Sequence, residues 1–83
     1  MKHELKTWPD MFQATYDGIK TAEFRKNDRD FKDGDILELR EFDPVLNSYS
    51  GRVLTARVMN IVYGGSFGIP DGYCMMSILT PTV

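Results

Sequence analysis

The chain has 83 residues, a formal net charge of -2 from 12 acidic and 10 basic side chains, a single histidine and a single cysteine. That length makes one domain spanning residues 1–83, with room for one helix against one small sheet or barrel, because a chain this short buries only roughly 60% of its unfolded surface. The mild acidity argues against a broadly basic, nonspecific nucleic-acid binder while leaving room for a local basic cleft, and the lone cysteine excludes an internal disulfide and a cysteine-rich zinc site.

One His and one Cys are also too few for a convincing metal centre, so neither a metal nor a cofactor is expected. The opening MKHELKTW has no apolar run. A secretory signal and a membrane span are therefore not expected, and the expected setting is the cytosol. Residues 3–7, HELKT, alternate loosely and suit an edge strand. TWPDMFQATYDG then reads as a helix over about residues 8–17. Thr7 with Asp10 resembles a capping box, and Pro9 is tolerated in the first turn. Trp8, Met11, Phe12, Thr15, Tyr16 and Ile19 recur at three and four and form one apolar face, and Gly18 is the expected left-handed stop.

From residue 21 the period changes to two. Thr21, Glu23 and Arg25 share one face of a strand, and Ala22 and Phe24 share the other. NDRDFKDGD supplies turn chemistry, with Asp33-Gly34 as a tight turn. DILELREFD is a second strand, PVLNSYSG a hairpin loop, and RVLTARVMNIVY a long strand rich in β-branched residues. GGSFGIPDG is a loop, and YCMMSIL a closing strand. An early helix followed by strands without helical crossovers predicts a mainly β, α+β fold, predominantly antiparallel. Closing the sheet into a small barrel would remove its exposed edges. Phe12, Leu37, Leu39, Val58 and Ile78 are the expected core, with Met59, Met75 and Met76 filling gaps and Cys74 a small buried hydrophobe.

GIKTAEFR, residues 18–25, fits a Gly-x-Lys-x-x-Glu-x-Arg signature. On those residues, and on HELKTWP, NDRDFKDGDILELREF and YGGSFGIPDGYCMMSI, the chain resembles the ASCH domain (activating signal cointegrator homology) of the PUA-like superfamily, in a small bacterial and phage branch. The resemblance covers almost the whole chain. It implies a PUA-like β-barrel with a helix packed at one end and a cleft lined by the signature, for which RNA is the general proposed ligand.

By charge and spacing alone, Lys20, Glu23 and Arg25 read best as a surface ion pair worth about 0.2–1 kcal/mol. The signature reverses that preference and places them in a cleft. There Glu23 would fix the two cations, and the Arg25 fork would grip a phosphate or stack on a base. Lys26, Arg29 and Lys32 are expected in solvent, with Asp28, Arg29 and Asp30 pairing locally around the turn. In the loop from Gly64 to Gly68, Gly65 could let backbone amides approach an anion and Phe67 could stack, or the glycines serve only the turn. His3 reads as structural or merely exposed. Trp8, Phe12 and Tyr16 read as core at helical spacing, with Trp8 standing between core and a base-stacking platform.

Three functions follow. The leading one is a module binding RNA, a nucleotide or a nucleoside through Gly18, Lys20, Glu23, Arg25 and Trp8, with Gly65 and Phe67 as further contacts. The second is a small hydrolase, since a PUA-like relative deacetylates acetylcytidine with a lysine at the Lys20 position, a threonine three residues on and a later glutamate. Here Glu23 occupies the threonine's place, and the only side-chain carboxylates after Glu41 are Asp43 and Asp71, so catalysis ranks lower. The third is an accessory domain that binds another protein.

Overall fold

The computed structural model describes residues 1–81. Five strands and one helix run in the order β1 (Lys2–Thr7), α1 (Pro9–Tyr16), β2 (Ala22–Lys26), β3 (Ile36–Asp43), β4 (Ser48–Tyr63) and β5 (Tyr73–Leu79). The protein is mainly β with a single short helix, as the change of period from 3.6 to 2 after Gly18 requires. No helix among the described residues is long and apolar enough to cross a membrane.

One sheet holds all five strands in the order β1-β3-β4-β5-β2. The β2–β5, β3–β4 and β4–β5 pairs are antiparallel, but β1 pairs with β3 in parallel, His3 opposite Leu37 and Leu5 opposite Leu39. This corrects the expectation of a chain without a helical crossover. Parallel neighbours need a long connection, and α1, β2 and the following turn provide it. β1 and β2 are the two edges, and no ladder joins them among the described residues. The sheet nonetheless curls until those edges face one another, because Arg25 Nη2 on β2 donates to the Lys6 carbonyl on β1 at 3.1 Å. Arg29 likewise donates to the Glu4 carbonyl. Two guanidinium groups thus cap alternate carbonyls on the open side of β1, which protects an edge from unwanted pairing.

The core lies on the concave side. Leu5, Phe12, Phe31, Leu37, Leu39, Ala56, Val58, Cys74, Met76 and Ile78 form one buried cluster. All five side chains expected there from sequence are in it. Met59 is not core filling, being 52% exposed, and burial pushes the Cys74 thiol upward from its ordinary pKa.

The helix departs from its reading in two ways. Trp8 rather than Thr7 is the N-cap, it makes no side-chain cap, and Pro9 opens the first turn. Thr7 cannot cap because it ends β1 as a buried strand residue. Only Phe12 and Thr15 of the apolar face are buried, while Trp8, Met11, Tyr16 and Ile19 are each more than half exposed. Eight residues make barely two turns, so the i, i+3 pair in the middle is all that reaches the sheet.

The hairpin between β3 and β4 is tighter than read: Ser48 to Gly51 belong to β4 rather than to the loop. At the other end of β4, the chain closes back on itself at Gly64. Its N–H donates to the Tyr73 carbonyl at 2.8 Å, and a Cβ there would lie 2.0 Å from the Pro70 oxygen. Backbone cannot yield as a side-chain tip can. Gly64→Ala is therefore expected to destabilise the fold by about 1–3 kcal/mol, as overpacking does. Gly68→Ala, at φ +78° with open space around the Cβ, should cost only about 1 kcal/mol. Thermal unfolding of the two variants side by side checks the difference.

His3 is structural. Its Nε2 lies 2.8 Å from the Asp35 carboxylate, with both side chains buried. That contact, with the amino terminus and the Lys32 N–H, lowers the Asp35 pKa from 3.8 to about 2. A carboxyl with a lowered folded pKa stabilises the native state above its unfolded value and loses that contribution as pH falls through the folded one. Stability should therefore drop between about 3.8 and 2, and Asp35→Asn should flatten the unfolding midpoint across that window.

Candidate functional site

The gap between the facing edges is a cleft of about 370 Å³, lined by Lys6, Thr7, Trp8, Met11, Lys20, Glu23, Phe24 and Arg25. Each element contributes for a local reason. The helix ends in a Schellman turn: Gly18, at φ +76°, sends its N–H to the Thr15 carbonyl, and the Ile19 N–H returns to that of Ala14. This reversal delivers Lys20 to the start of β2.

Along β2, strand alternation puts Glu23 opposite Met76 and Arg25 opposite Cys74, on the concave side, while Phe24 points outward opposite Met75. The charged set therefore faces in and the apolar set faces out. Glu23 is 3% exposed, yet Phe24 is 48% exposed and stacks on Tyr73 at 5.6 Å between centroids.

A carboxylate so buried must be paired. Glu23 Oε1 accepts from Lys20 Nζ and Oε2 from Arg25 Nε, each at 2.8 Å. Lys20 also donates to the Ala22 carbonyl. Arg25 Nη2 reaches the Lys6 carbonyl and, at 3.4 Å, the Thr7 hydroxyl. Against the donor inventory of the two side chains, these contacts leave the Arg25 Nη1 protons and one Lys20 proton for an acceptor brought into the cleft. The trio carries one net positive charge, and Trp8 and Met11 form an apolar wall beside it.

The structure thus brings together Trp8, Lys20, Glu23 and Arg25 from the sequence-derived set. Gly18 shapes the turn without lining the cleft. Gly65 and Phe67 sit on the β4–β5 loop outside it, with Phe67 92% exposed. Lys26, Arg29 and Lys32 are exposed as expected, and Lys32 pairs locally with Asp30 at 3.1 Å. Arg29 differs, since its partner is the Glu4 backbone rather than a neighbour in the turn. Lys6, Thr7, Met11 and Phe24 are lining residues that sequence reasoning missed. In sequence Thr7 reads as a cap and Met11 as part of a core face, and the alternation of HELKT turns Lys6 away from the core.

An activated threonine nucleophile with a free carboxylate beside it is not formed at Glu23 and Thr7. Both Glu23 oxygens are engaged by cations, and the Thr7 hydroxyl has the Arg25 guanidinium as its neighbour, where a nucleophile needs a base. Among the described residues, no group of three or more His, Cys, Asp or Glu could hold a metal ion.

Fold and site together define a small, mainly β domain with a cationic cleft between the two unpaired edges of a curled sheet. Residues 2–78 match the model of a family described as a domain of unknown function (DUF3850), and the chain belongs to that family. It is also similar to the "Uncharacterized 12.9 kDa protein in GpA 3'region" of Escherichia phage P2, at 39% identity over 59 residues, which cover 71% of this chain and 52% of the phage protein. The chain spans about half the length of that relative.

Proposed function

We propose that this domain binds a nucleotide, free or as an unstacked residue of single-stranded RNA, in the cleft between β1 and β2. The observation that carries the reading is the Lys20–Glu23–Arg25 clamp: a buried carboxylate holds two cations in fixed orientation beside apolar walls. Fixed donors suit a phosphate or the acceptor edge of a base, and Trp8 and Met11 suit its flat apolar faces. A cleft near 370 Å³ falls at the small end of ligand sites, which favours one nucleotide over a duplex. On this reading the curled sheet is a PUA-like barrel of the ASCH type with its seam at the cleft, and Gly-x-Lys-x-x-Glu-x-Arg is its binding signature.

Trp8 is the sole tryptophan and lines the cleft, so its emission reports occupancy. Titration with nucleoside monophosphates and short RNAs should give a saturable change in Trp8 fluorescence. Lys20→Ala should weaken it and Lys32→Ala should leave it alone. An absence of response to every ligand, or equal binding by both variants, would return the clamp to the status of a surface ion pair. Acetylated cytidine, if it binds, should be released unchanged; turnover abolished by Lys20→Ala would replace binding with hydrolysis.

A further inference from the structure

We propose a second nucleotide subsite beside the cleft, formed by Lys6 and Tyr49 over Phe42, so that the preferred ligand is a single strand of two or more nucleotides. The inference rests on the nucleotide reading of the cleft.

Lys6 connects the two places. It lines the cleft, and its ammonium lies 4.4 Å from the Phe42 ring centroid and 6.0 Å from that of Tyr49. Among the described residues it makes no salt bridge, whereas the neighbouring Arg40 is held by Glu4 and Glu38. An exposed lysine on an aromatic ring, without an acidic partner, leaves its charge for an incoming anion. Tyr49 packs edge-on against Phe42 at 5.0 Å and is 52% exposed. It can therefore offer ring surface to a base without losing its anchorage.

The backbone is irregular at the place that creates this pairing. Arg40 lies opposite Val53, and that register continued would set Gly51 opposite Phe42. The ladder instead shifts, and Tyr49 takes the place. Gly51 absorbs the irregularity at φ +93°. Bulges of this kind re-aim side chains beside functional sites, and here the result is an exposed aromatic ring next to the free lysine at the mouth of the cleft. A strand with one nucleotide in the cleft would pass its next phosphate to Lys6 and its next base to Tyr49. Stacking on an aromatic ring with a cationic neighbour is how single strands are held without sequence readout.

The test compares uridine monophosphate with oligouridylates of two to four residues, at fixed salt, using Trp8 fluorescence. Affinity should rise at least about fivefold from one residue to two or three, the effect of one stacked base. Tyr49→Ala should abolish that gain and leave monophosphate binding as it was. Lys6→Ala should reduce the dependence of log affinity on log salt for the oligomer by about 0.7, the share of one single-strand phosphate contact. Monophosphate binding without a gain on lengthening, or a gain that survives Tyr49→Ala, overturns the second subsite and spares the cleft. Failure of every ligand to bind overturns the cleft reading and this one with it.

Discussion

Glu23→Ala is expected to lower the unfolding free energy by about 2–3 kcal/mol and the melting temperature by about 10–20 °C. Removing one partner of a buried ion pair typically costs about 3–5 kcal/mol, because the remaining charge stays desolvated and unpaired. The lower figure applies here because the side chains of Lys20 and Arg25 keep 28% and 25% of their exposure, so water can take over part of the carboxylate's role. Glu23→Gln, which keeps the shape and one acceptor oxygen, should fall about midway. Replacing all three members together, Lys20→Met, Glu23→Leu and Arg25→Met, should recover much of the loss, since the penalty belongs to the stranded cations. Chemical denaturation of these variants decides the matter. A loss below about 0.5 kcal/mol for Glu23→Ala would mean an ordinary surface ion pair.

On the proposed nucleotide reading of the cleft, Arg25→Ala should reduce affinity about tenfold to a hundredfold, the range for losing a charge-assisted hydrogen bond of about 1.5–3 kcal/mol. Two effects combine. The free Nη1 protons vanish from the cleft, and the link from β2 to the Lys6 carbonyl is cut, so the facing edges lose a fixed spacing. Arg25→Lys should rescue little, because an ammonium cannot bind Glu23, the Lys6 carbonyl and a ligand in one plane. The parent interaction should be only moderately sensitive to salt. Two or three phosphate contacts on a single strand give slopes near -1.4 to -2.1, so a fourfold rise in salt should weaken binding about sevenfold to eighteenfold. A far steeper loss would point to a wide basic surface, which an acidic chain with exposed Arg29 already committed to backbone does not offer.

The architecture of the site was partly legible in the chain. Period-two alternation from Thr21 to Arg25 fixed that Glu23 and Arg25 share a face, and Gly18 fixed where the helix stops and Lys20 begins. The expectation that Leu37, Leu39 and Ile78 belong to the core also holds. These are properties of neighbouring residues, set by backbone geometry that acts over a few positions. Helical spacing misled for Trp8 and Met11, since a period states which residues share a face but not what that face meets.

Which face of β2 turns inward was decided by tertiary structure alone. An alternating strand normally buries its apolar set, but here Glu23 is buried and Phe24 exposed. The reason is long-range: β1 pairs in parallel with β3, β2 pairs with β5, and the curl brings the two unpaired edges together. At that seam the concave side is a cleft, where the charges of Lys20 and Arg25 satisfy Glu23 and an apolar side chain would have left two edges of backbone polar groups without partners. The placement of Tyr49 on Phe42 was also invisible to a period, because it comes from a register shift in the β3–β4 hairpin. The sequence by itself determined the strands, the turn glycines and the spacing of the clamp. Only the closure of distant edges determined that the clamp faces a cleft, because contacts across the seam join residues nineteen positions apart, as Lys6 and Arg25 are, and no local period encodes them.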